Sequence, residues 1–352
     1  MSLNFNLMRR CFDLARLGSG SVSPNPLVGA VLAHGDKIIG EGFYATDGGP
    51  HAEVRALASV KPADRPLIRE STLYISLEPC NIYGRTPPCT DLILREGIPR
   101  VVVAGTDLTP GVNGSGLYRL RAQGVIVETG VLAAEGAHLS NYRNVYVSQS
   151  RPYVLLKYAQ THNNLIAPAD PGPYWLTNDY SRRLVHKWRT ATDAILVGAG
   201  TARADNPALT TRYFPGPQPL RMVLDRKGNL PPHLQLFDGQ HPTVVFTENP
   251  RTESKNLRFV THDFSAVDWL PALLHKIADL RIAHLTVEGG AWLLEQFISQ
   301  AYWDEARVFT TPQVWHAGKA APVLHVEPVF ATHLLADQLQ VYHPAVAGAR
   351  SC

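Results

Sequence analysis

Apolar and polar positions in the N-terminal part of the chain predict helices and strands in alternation. Apolar residues recur at helical spacing over 3–17, and again after His51 through Val54 and Leu57. Short apolar runs bounded by Gly, Pro or Asp predict strands instead. The predicted strands are 28–32, 37–42, 72–77, 100–105 and 125–127, and a further helix begins at Cys89. Strands separated by helices are typical of a layered α/β sheet.

A second α/β pattern follows a polar, tyrosine-rich stretch that ends at Arg151-Pro152. A polar stretch between two periodic patterns indicates a domain boundary, so we assign one domain to residues 1–147 and another to 148–352. The second pattern predicts strands at 153–157, 194–198, 220–224, 243–246, 283–287 and 304–309, with helices after Thr177 and at 291–300. The sequence contains no internal repeat or low-complexity tract.

Composition and charge narrow the class of protein. With 352 residues, of which 45% are hydrophobic, the chain is long enough for two domains of ordinary size. The net charge of +3 and the lack of a Lys/Arg run do not favour binding to nucleic acid or to a membrane surface. No uncharged apolar run approaches the ~20 residues that span a bilayer, and the first residues contain charges instead of an apolar signal-peptide core. Four cysteines do not make a disulfide framework in such a chain, so we expect a soluble, cytoplasmic protein.

The strongest chemical signal is one histidine, one glutamate and two cysteines. His51-Ala52-Glu53 is followed by Cys80 and Cys89, each directly after a proline. An imidazole and two thiolates bind zinc and leave its fourth position for a water, whose pKa then falls to about 7. In this pattern the glutamate moves protons without binding the metal. The sequence therefore predicts His51, Cys80 and Cys89 as zinc ligands and Glu53 as the catalytic residue in deamination of a nucleobase-like ring.

Each of these residues has an ordinary structural explanation when it is taken alone. Single histidines and glutamates often lie on the surface, and single cysteines are often buried thiols. The combination in its strand–helix context favours a metal site instead. A purely structural zinc site needs a fourth protein ligand, and the remaining cysteines, Cys11 and Cys352, are not spaced to supply one. We therefore interpret the zinc site as catalytic and these two cysteines as ordinary thiols.

Two glycine-containing turns are the main features of the C-terminal half. Gly198-Ala199-Gly200-Thr201 follows an apolar strand, and Glu288-Gly289-Gly290 lies between a strand and a helix. Such turns can bring backbone N–H groups close to a phosphate. Neither turn matches the G-x-G-x-x-G pattern of dinucleotide-binding domains. From these residues alone, each segment is equally consistent with a tight strand–helix turn and with a ligand site.

Three segments of the N-terminal half resemble the bifunctional deaminase/reductase family of riboflavin biosynthesis. They are 23–29 (SPNPLVG), 49–53 (GPHAE) and 77–89 (LEPCNIYGRTPPC). The G-R-T-P-P-C insert between the cysteines separates this family from cytidine, tRNA-adenosine and guanine deaminases. The resemblance covers nearly the whole chain and implies a cytidine-deaminase-like three-layer domain in which Asn25 helps to hold the base. The implied substrate is 2,5-diamino-6-ribosylamino-4(3H)-pyrimidinone 5′-phosphate, which loses its 2-amino group as ammonia.

For the C-terminal half, the same resemblance implies a dihydrofolate-reductase-like domain that uses NADPH to reduce the ribosyl group to ribityl. The positions that border the cofactor in the family match Ala159, Trp175, Thr201, Asp205, Gly289 and Gly290. The positions that face the substrate match Arg189, Leu209, Arg212 and Glu288. Arginine suits the 5′-phosphate of this substrate, because its planar fork donates two charge-assisted hydrogen bonds.

The reductase half also departs from the family at two places. The A-S-x-D-G segment after the first reductase strand is replaced here by residues 160–164 (QTHNN), so Asn163 lacks the family's carboxylate. Asn164 stands in place of the glycine and can adopt the left-handed conformation at some cost. Pro173 stands where members often have a serine. An alternative therefore stays open, in which the protein is a deaminase with a weak or repurposed reductase domain.

Two further alternatives belong to other functional classes. A non-catalytic nucleotide-binding or assembly protein would not need the intact set of His51, Glu53, Cys80 and Cys89. A nucleic-acid deaminase would be expected to have a basic strip, which this chain lacks. The leading hypothesis is a bifunctional enzyme with Zn²⁺ and NADPH as cofactors and a small pyrimidine ribotide as substrate. We expect it to form a homo-oligomer and to bind neither nucleic acid nor membrane.

Overall fold

The structure, a computed structural model, describes residues 3–169 and 174–345. It divides into two compact units, Met1–Ser150 and Arg151–Cys352, called here the N-terminal and the C-terminal unit. The boundary placed by the sequence at 147/148 falls inside the last helix of the N-terminal unit, Ala133–Gln149. Within the described residues, no helix combines the length and the apolar character that crossing a membrane requires.

The N-terminal unit is a five-stranded sheet between two layers of helices. Its elements are α1 (Leu3–Arg16), β1 (Gly29–His34), β2 (Lys37–Phe43), α2 (Ala52–Ala58), β3 (Thr72–Ile75), α3 (Cys89–Glu96), β4 (Arg100–Val103), α4 (Ser115–Ala122), β5 (Ile126–Thr129) and α5 (Ala133–Gln149), with a 3₁₀ segment at Pro62–Glu70. The strand order is β2-β1-β3-β4-β5. β1 is antiparallel to β2 and β3, whereas β3, β4 and β5 are parallel to one another.

Each face of this sheet has its own apolar core, because successive side chains of a strand point to opposite faces. On one face, Leu32 packs with residues of α2, α3 and α4, Ile93 among them. On the other face, Val31 packs with Phe12 of α1 and Leu139 of α5. The predicted three-layer α/β arrangement is confirmed.

The C-terminal unit is built on a nine-stranded sheet. Its elements are β6 (Tyr153–Gln160), β7 (Leu165–Pro168), α6 (Asp179–Arg189), β8 (Ala194–Gly198), α7 (Ala199–Asp205), β9 (Leu220–Leu224), β10 (Thr243–Thr247), β11 (Leu257–Thr261), α8 (Trp269–Asp279), β12 (His284–Val287), α9 (Ala291–Ser299), β13 (Glu305–Thr310), β14 (Gly318–Ala320), β15 (Phe330–Leu334) and β16 (Asp337–Tyr342), with a short 3₁₀ turn at Gln235–Phe237. The order in the large sheet is β11-β10-β9-β8-β12-β6-β13-β16-β15.

Most of this sheet is parallel, and its parallel part positions the site described below. Strands β6 and β8 to β13 run in the same direction, and at one edge β16 pairs antiparallel with β13 and β15 pairs antiparallel with β16. β7 and β14 form a separate two-stranded sheet. Helices α8 and α9 pack on one face through residues such as Leu273 and Phe297, and Ala202 of α7 packs on the other. In open α/β sheets, ligands bind at the carboxyl ends of the strands.

The structure contains elements that were not predicted from the sequence. Helix α5 includes the polar stretch that the sequence suggested as a boundary, because its apolar residues are not segregated onto one face. Helix α8 was missed as well, although its buried residues recur at helical spacing, namely Trp269, Leu270, Leu273, Leu274, Ile277 and Ala278. Helix α7 and strands β7, β11, β14, β15 and β16 were also not predicted. β14 and β15 are largely exposed, so their side chains show no clear alternation.

Candidate active sites

The three predicted metal ligands converge at one point of the N-terminal unit. His51 is the residue before α2, Cys80 lies in the loop after β3, and Cys89 begins α3. The Nδ1 atom of His51 lies 3.5 Å from Sγ of Cys80 and 3.3 Å from Sγ of Cys89. All three ligand atoms lie within 4.8 Å of one another. Two segments that are distant in the sequence therefore bring three zinc-type ligands together.

This geometry fits a zinc ion. A tetrahedral zinc that binds sulfur at about 2.3 Å and nitrogen at about 2.0–2.1 Å holds these ligand atoms roughly 3.5 Å apart. The backbone N–H of Cys89, at the start of α3, donates to Sγ of Cys80 at 3.3 Å, which favours a thiolate there. Interaction with Cys89 lowers the pKa of Cys80, whereas interaction with Cys80 raises the pKa of Cys89. Two thiolates are therefore stable together only when a cation lies between them.

Glu53 lies beside the metal ligands and is almost completely buried. It is in the first turn of α2, two residues after His51, and only 3% of its surface is exposed. Burial raises the pKa of this carboxyl, whereas the nearby His51 lowers it. A carboxylate in such a place can accept a proton more readily than one in water.

Asn25 is connected to the metal ligands through a tyrosine. Its Nδ2 donates to Oδ1 of Asp47 at 2.7 Å and to the Tyr44 hydroxyl at 3.4 Å. The Tyr44 ring packs edge-on against the His51 ring, with the centroids 5.4 Å apart. The hydroxyl of Tyr142 donates to the backbone carbonyl of Asn25 at 2.6 Å, which fixes this segment. The structure therefore brings Asn25 close to His51.

Sequence reasoning missed Glu78, which comes two positions before the first cysteine ligand. Its buried carboxylate accepts hydrogen bonds from the backbone N–H groups of Asp107, Gly114 and Gly116, at 3.3, 2.8 and 3.0 Å. It thereby holds a long loop against the segment that contains Cys80. The sequence signal that could have identified Glu78 is its place directly after a buried strand. A carboxylate buried there requires hydrogen-bond donors around it.

The C-terminal unit contains a cavity of about 1240 Å³ at the carboxyl ends of its parallel strands. This volume exceeds the ~300–1000 Å³ of ordinary ligand sites and is large enough for a dinucleotide together with a substrate. All ten residues that the sequence predicted for the reductase site line it, namely Ala159, Trp175, Arg189, Thr201, Asp205, Leu209, Arg212, Glu288, Gly289 and Gly290. The structure therefore brings together every one of these residues, which come from eight separate places in the chain.

A buried ion pair occupies one end of this cavity. Arg189 donates two hydrogen bonds to the Glu288 carboxylate, at 3.0 and 2.8 Å, and a third to the carbonyl of Thr210 at 2.9 Å. Burial by itself would raise the pKa of Glu288, but Arg189 and Lys157 lower it to about 2. Burial lowers the pKa of Lys157 in turn. Glu288 is therefore an ionised, fixed acceptor, and the planar fork of Arg189 is already occupied by it.

Arg212 and Leu209 lie in the segment that follows α7. The backbone N–H of Arg212 donates to Nδ1 of His186 at 2.9 Å, which keeps this imidazole neutral. Burial and the nearby arginines lower the pKa of His186 to about 4. The Arg212 guanidinium lies 5.9 Å from the centroid of the Tyr213 ring, and Leu209 has a left-handed φ of 53°. Arg212 lines the cavity, and among the described residues no carboxylate pairs with its guanidinium as Glu288 pairs with that of Arg189.

The two glycine-containing turns approach each other closely in the middle of the cavity. A Cβ atom added to Gly290 would lie 3.1 Å from Oγ1 of Thr201, and one added to Gly289 would lie 2.8 Å from the Leu293 side chain. Packing against Leu293 therefore favours glycine at position 289 apart from any ligand, whereas a side chain at position 290 would need only a small shift of Thr201. Near the mouth, the Arg182 guanidinium lies 5.0 Å from the centroid of the Trp175 ring. Burial raises the pKa of Asp205.

The segment that departs from the family forms an ordered turn. Asn164 has a left-handed φ of 59°, as expected for a residue that replaces glycine. The Thr161 hydroxyl donates to Oδ1 of Asn163 at 2.8 Å, and Nδ2 of Asn163 donates to the carbonyl of Trp315 at 2.7 Å. The two asparagines therefore replace the family's residues with hydrogen bonds of their own. Pro173, and likewise Cys352, lies outside the described residues.

Known protein families match both halves of the chain. Residues 1–105 match the cytidine and deoxycytidylate deaminase zinc-binding region, and residues 152–345 match the RibD C-terminal domain. These matches confirm the predicted cytidine-deaminase-like domain and the predicted reductase domain of the dihydrofolate-reductase-like type. They do not favour the alternative of a deaminase with a repurposed second domain.

Individual relatives extend over nearly the full length of the chain. The riboflavin biosynthesis protein RibD of Aquifex aeolicus is 37% identical over 321 residues, which cover 89% of this chain and 88% of that protein. The RibD protein of Synechocystis sp. is 36% identical over 320 residues, covering 90% and 86%. A crystal structure of a diaminohydroxyphosphoribosylaminopyrimidine deaminase/5-amino-6-(5-phosphoribosylamino)uracil reductase from Thermotoga maritima is 34% identical. It has a TM-score of 0.90 and covers 97% of this chain and 99% of its own. The chain therefore belongs to the RibD family, the bifunctional zinc-dependent deaminases and NADPH-dependent reductases of riboflavin biosynthesis.

Proposed function

We propose that this enzyme deaminates 2,5-diamino-6-ribosylamino-4(3H)-pyrimidinone 5′-phosphate and then reduces the ribosyl group of the product to ribityl. The observation that carries the proposal is the convergence of His51, Cys80 and Cys89 beside the buried Glu53. The Thermotoga maritima protein, a diaminohydroxyphosphoribosylaminopyrimidine deaminase and 5-amino-6-(5-phosphoribosylamino)uracil reductase, supports this choice of substrate. We assign the deamination to residues 1–147 and the reduction to residues 148–352.

In the deaminase site, each residue has a separate task. His51, Cys80 and Cys89 would hold zinc, which when bound would supply a water whose pKa is near 7. Glu53 accepts a proton at its carboxylate and donates it to the departing amine, and its raised pKa favours the protonated state that this transfer needs. Asn25 holds the pyrimidine ring through its side-chain amide, in an orientation fixed by Asp47 and Tyr44.

In the reductase site, we assign the cofactor to the middle of the cavity and the substrate to the end with the ion pair. NADPH supplies the hydride when it is bound. The residues that border it are Ala159, Trp175, Thr201, Asp205, Gly289 and Gly290. Glu288 accepts hydrogen bonds from the sugar hydroxyls, and Arg189 keeps this carboxylate ionised and in place. Arg212 binds the 5′-phosphate, since its guanidinium pairs with no carboxylate in the part of the chain that the structure describes, and Leu209 contacts the substrate beside it.

We also propose that the chain acts in the cytoplasm as a homo-oligomer and that it has no nucleic-acid partner. Exposed apolar side chains cluster at one edge of the nine-stranded sheet, where Val329, Phe330 and Leu335 flank or belong to β15. A second copy of the chain would cover this edge. Light scattering coupled to size-exclusion chromatography measures the oligomeric state, and a monomer would contradict the proposal.

The low net charge predicts no binding to tRNA or single-stranded DNA at physiological salt.

Mass spectrometry of the products tests the function directly. Zinc-loaded protein is incubated with the diaminopyrimidine ribotide, with and without NADPH. We expect a product that is both deaminated and reduced when NADPH is present, and a product that is only deaminated when it is absent. Unchanged substrate under both conditions would refute the proposal. A product that is only deaminated in the presence of NADPH would refute the reductase half and direct attention to Asn163, Asn164 and Pro173.

A further inference from the structure

The two cysteines of the metal site are joined by an exposed loop. Cys80 and Cys89 are separated by residues 81–88, which form no helix or strand. The Ile82 and Tyr83 side chains of this loop are exposed. Closing a loop costs more conformational entropy as the loop becomes longer, so a long insert holds its two ends together less well by itself. The separation of the two sulfurs therefore has to be set by contacts at the ends of the loop.

The residues directly after the two cysteines are hydrogen-bonded to each other. Asn81 follows Cys80, and Thr90 follows Cys89 in the first turn of α3. The Thr90 hydroxyl donates to Oδ1 of Asn81 at 2.9 Å, and the Thr90 backbone N–H donates to the carbonyl of Cys80 at 3.3 Å. Thr90 is completely buried, so water does not compete for its hydroxyl. These two bonds close the base of the loop beside both sulfurs.

Arg119 of α4 contacts both of these side chains. Its Nη1 atom donates to Oδ1 of Asn81 at 3.0 Å and to the Thr90 hydroxyl at 3.2 Å. Its Nη2 atom lies 2.6 Å from Oδ1 of Asp91, the next residue of α3. A planar guanidinium has several donors in fixed directions and can therefore hold partners from two segments at once. Arg119 thus connects the segment after Cys80 to the first turn of α3.

Helix α4 is itself held against the segment that precedes the first cysteine. The backbone N–H groups of Gly114 and Gly116, at the start of α4, donate to the Glu78 carboxylate at 2.8 and 3.0 Å. A Cβ atom added to Gly116 would lie 2.3 Å from the carbonyl oxygen of Pro79, so the two backbones pack directly on each other. Helix α4 is therefore a fixed support for the Arg119 side chain.

The ion pair with Asp91 would be a weaker reason for an arginine at position 119. The Arg119 and Asp91 side chains are 40% and 28% exposed, and ion pairs exposed to this degree stabilise a fold little. If the ion pair were the whole role of Arg119, its removal would leave the metal ligands unaffected. Zinc binding therefore distinguishes this role from that of a residue which positions the ligands.

We propose that Arg119 is a positioning residue of the zinc site, which holds the segments of Cys80 and Cys89 at the separation that the metal ion needs. It acts through Asn81 and Thr90, the neighbours of the two ligands. This inference rests on the proposed deaminase site and adds a residue to it. Residues behind the ligands of a metal orient those ligands, and their loss weakens metal binding or activity by roughly 10–100-fold.

Zinc affinity and the absorption spectrum of the cobalt-substituted protein test this role on the full chain. Competition with a chromophoric chelator measures the zinc affinity, and the absorption bands of bound Co²⁺ report the thiolate ligands and their geometry. Steady-state deamination at saturating zinc gives kcat and KM, and thermal unfolding of the metal-free proteins shows whether each variant is folded.

The variants separate the guanidinium, its charge and the buried hydroxyl. Arg119→Met keeps the length of the side chain, and Arg119→Lys keeps its charge. Thr90→Val removes the hydroxyl with little change of shape, whereas Thr90→Ser keeps it. Arg121→Met is the matched control, because Arg121 is on the same helix and donates to the carbonyl of Val127 instead.

We expect Arg119→Met and Thr90→Val to weaken zinc binding about tenfold and to shift or weaken the thiolate bands of Co²⁺. In both variants kcat should fall about tenfold and KM should change less than about twofold, because the metal site acts in the chemical step. Arg119→Lys should lie between, since it keeps the charge but loses the planar fork. Thr90→Ser and Arg121→Met should match the unchanged protein.

Unchanged zinc affinity and an unchanged Co²⁺ spectrum in Arg119→Met and Thr90→Val would overturn the proposal. A lower unfolding temperature of these metal-free variants would not rescue it, because a purely structural role also lowers that temperature. Equal effects of Arg121→Met would overturn it as well. Should Arg119→Met fail to fold, the comparison of Thr90→Val with Thr90→Ser decides. If the unchanged protein binds no zinc, the deaminase site itself fails, and this result is distinct from the others.

Discussion

The two sites of this enzyme are encoded in the sequence in different ways. The deaminase ligands and Glu53 come from two short segments, 51–53 and 80–89. The reductase cavity is lined by many separate segments spread from Lys157 to Lys319. A metal ion accepts only a few ligand types in a fixed geometry, so its site produces a recognisable motif. A large cofactor needs a shaped cavity and a few polar groups, which many sequences can provide.

The sites also differ in how their charges are balanced. In the deaminase site, the second thiolate is unfavourable until a metal ion binds between the two sulfurs. In the reductase site, Arg189 and Glu288 neutralise each other within the protein. Loss of the metal should therefore disable the first site and leave the second intact, whereas changes at the ion pair should do the reverse.

The largest expected effect is that of removing a metal ligand. Cys89→Ser should reduce the bound zinc to near zero and abolish deamination, because serine is not a thiolate ligand. Binding of NADPH should be unchanged, since it belongs to the other unit. Elemental analysis by mass spectrometry measures the bound zinc, and calorimetric titration measures the binding of NADPH. Cys11→Ala is the matched control, because Cys11 is a buried thiol that donates to the carbonyl of Tyr74. Its zinc content should be normal, and retention of zinc by Cys89→Ser would contradict the ligand assignment.

Glu53→Gln should have the next largest effect. The amide cannot accept and release the proton, so kcat for deamination should fall by about 10²–10⁴-fold while the zinc content stays normal. The readouts are steady-state ammonia release and metal analysis. The exposed Glu70, altered to Gln, is the control for removing a carboxylate from the same unit. Deamination by Glu53→Gln at more than a tenth of the normal rate would show that another group transfers the proton.

Glu288→Gln should make the C-terminal unit less stable in a pH-dependent way. The folded-state pKa of Glu288 is about 2, below its ordinary value of about 4.5, so its ionised form stabilises the fold. This contribution, roughly 3 kcal/mol, is fully present above pH 4.5 and is lost as the pH falls through 2. The difference in Tm between the two proteins should therefore be large at pH 7 and should shrink below about pH 4.5.

Scanning calorimetry measures this difference, and the transition of the C-terminal unit is the one that NADPH raises. Glu295→Gln, on the exposed surface of α9, is the control. A Tm difference that is constant with pH would show that Glu288 is not the titrating group.

The smallest of these effects is expected at Asn25. Asn25→Ala should raise the KM for deamination about tenfold and change kcat little, because it removes a hydrogen bond to the base but no proton-transfer group. Asn4→Ala is the control, since the Asn4 side chain bonds to Glu128 and Tyr74 instead of to Asp47. If kcat falls as strongly as kcat/KM, Asn25 acts in the transition state and not in ground-state binding.

Much of the fold could be predicted because its core strands are short apolar runs. Strands β8 and β9 have the predicted bounds, and helix α3 begins at Cys89 as predicted. Helix α5 could not be predicted, since its apolar side chains do not follow one face. Helix α8 was missed although its pattern is amphipathic, since its buried residues, such as Leu270, Leu273 and Leu274, recur at helical spacing. Periodicity reports an element only when one side faces solvent and the other faces a core.

The candidate sites show the same limit. The sequence alone determined the deaminase chemistry, because His51, Glu53, Cys80 and Cys89 are types that a catalytic zinc site requires and their spacing is recognisable. Only the tertiary structure decided that Arg189 is committed to Glu288 and that Glu78 holds a loop against the cysteine segment. Both contacts depend on which strand ends and loops are neighbours in space. Neighbours of that kind are set by sheet order and packing, which no local pattern along the chain records.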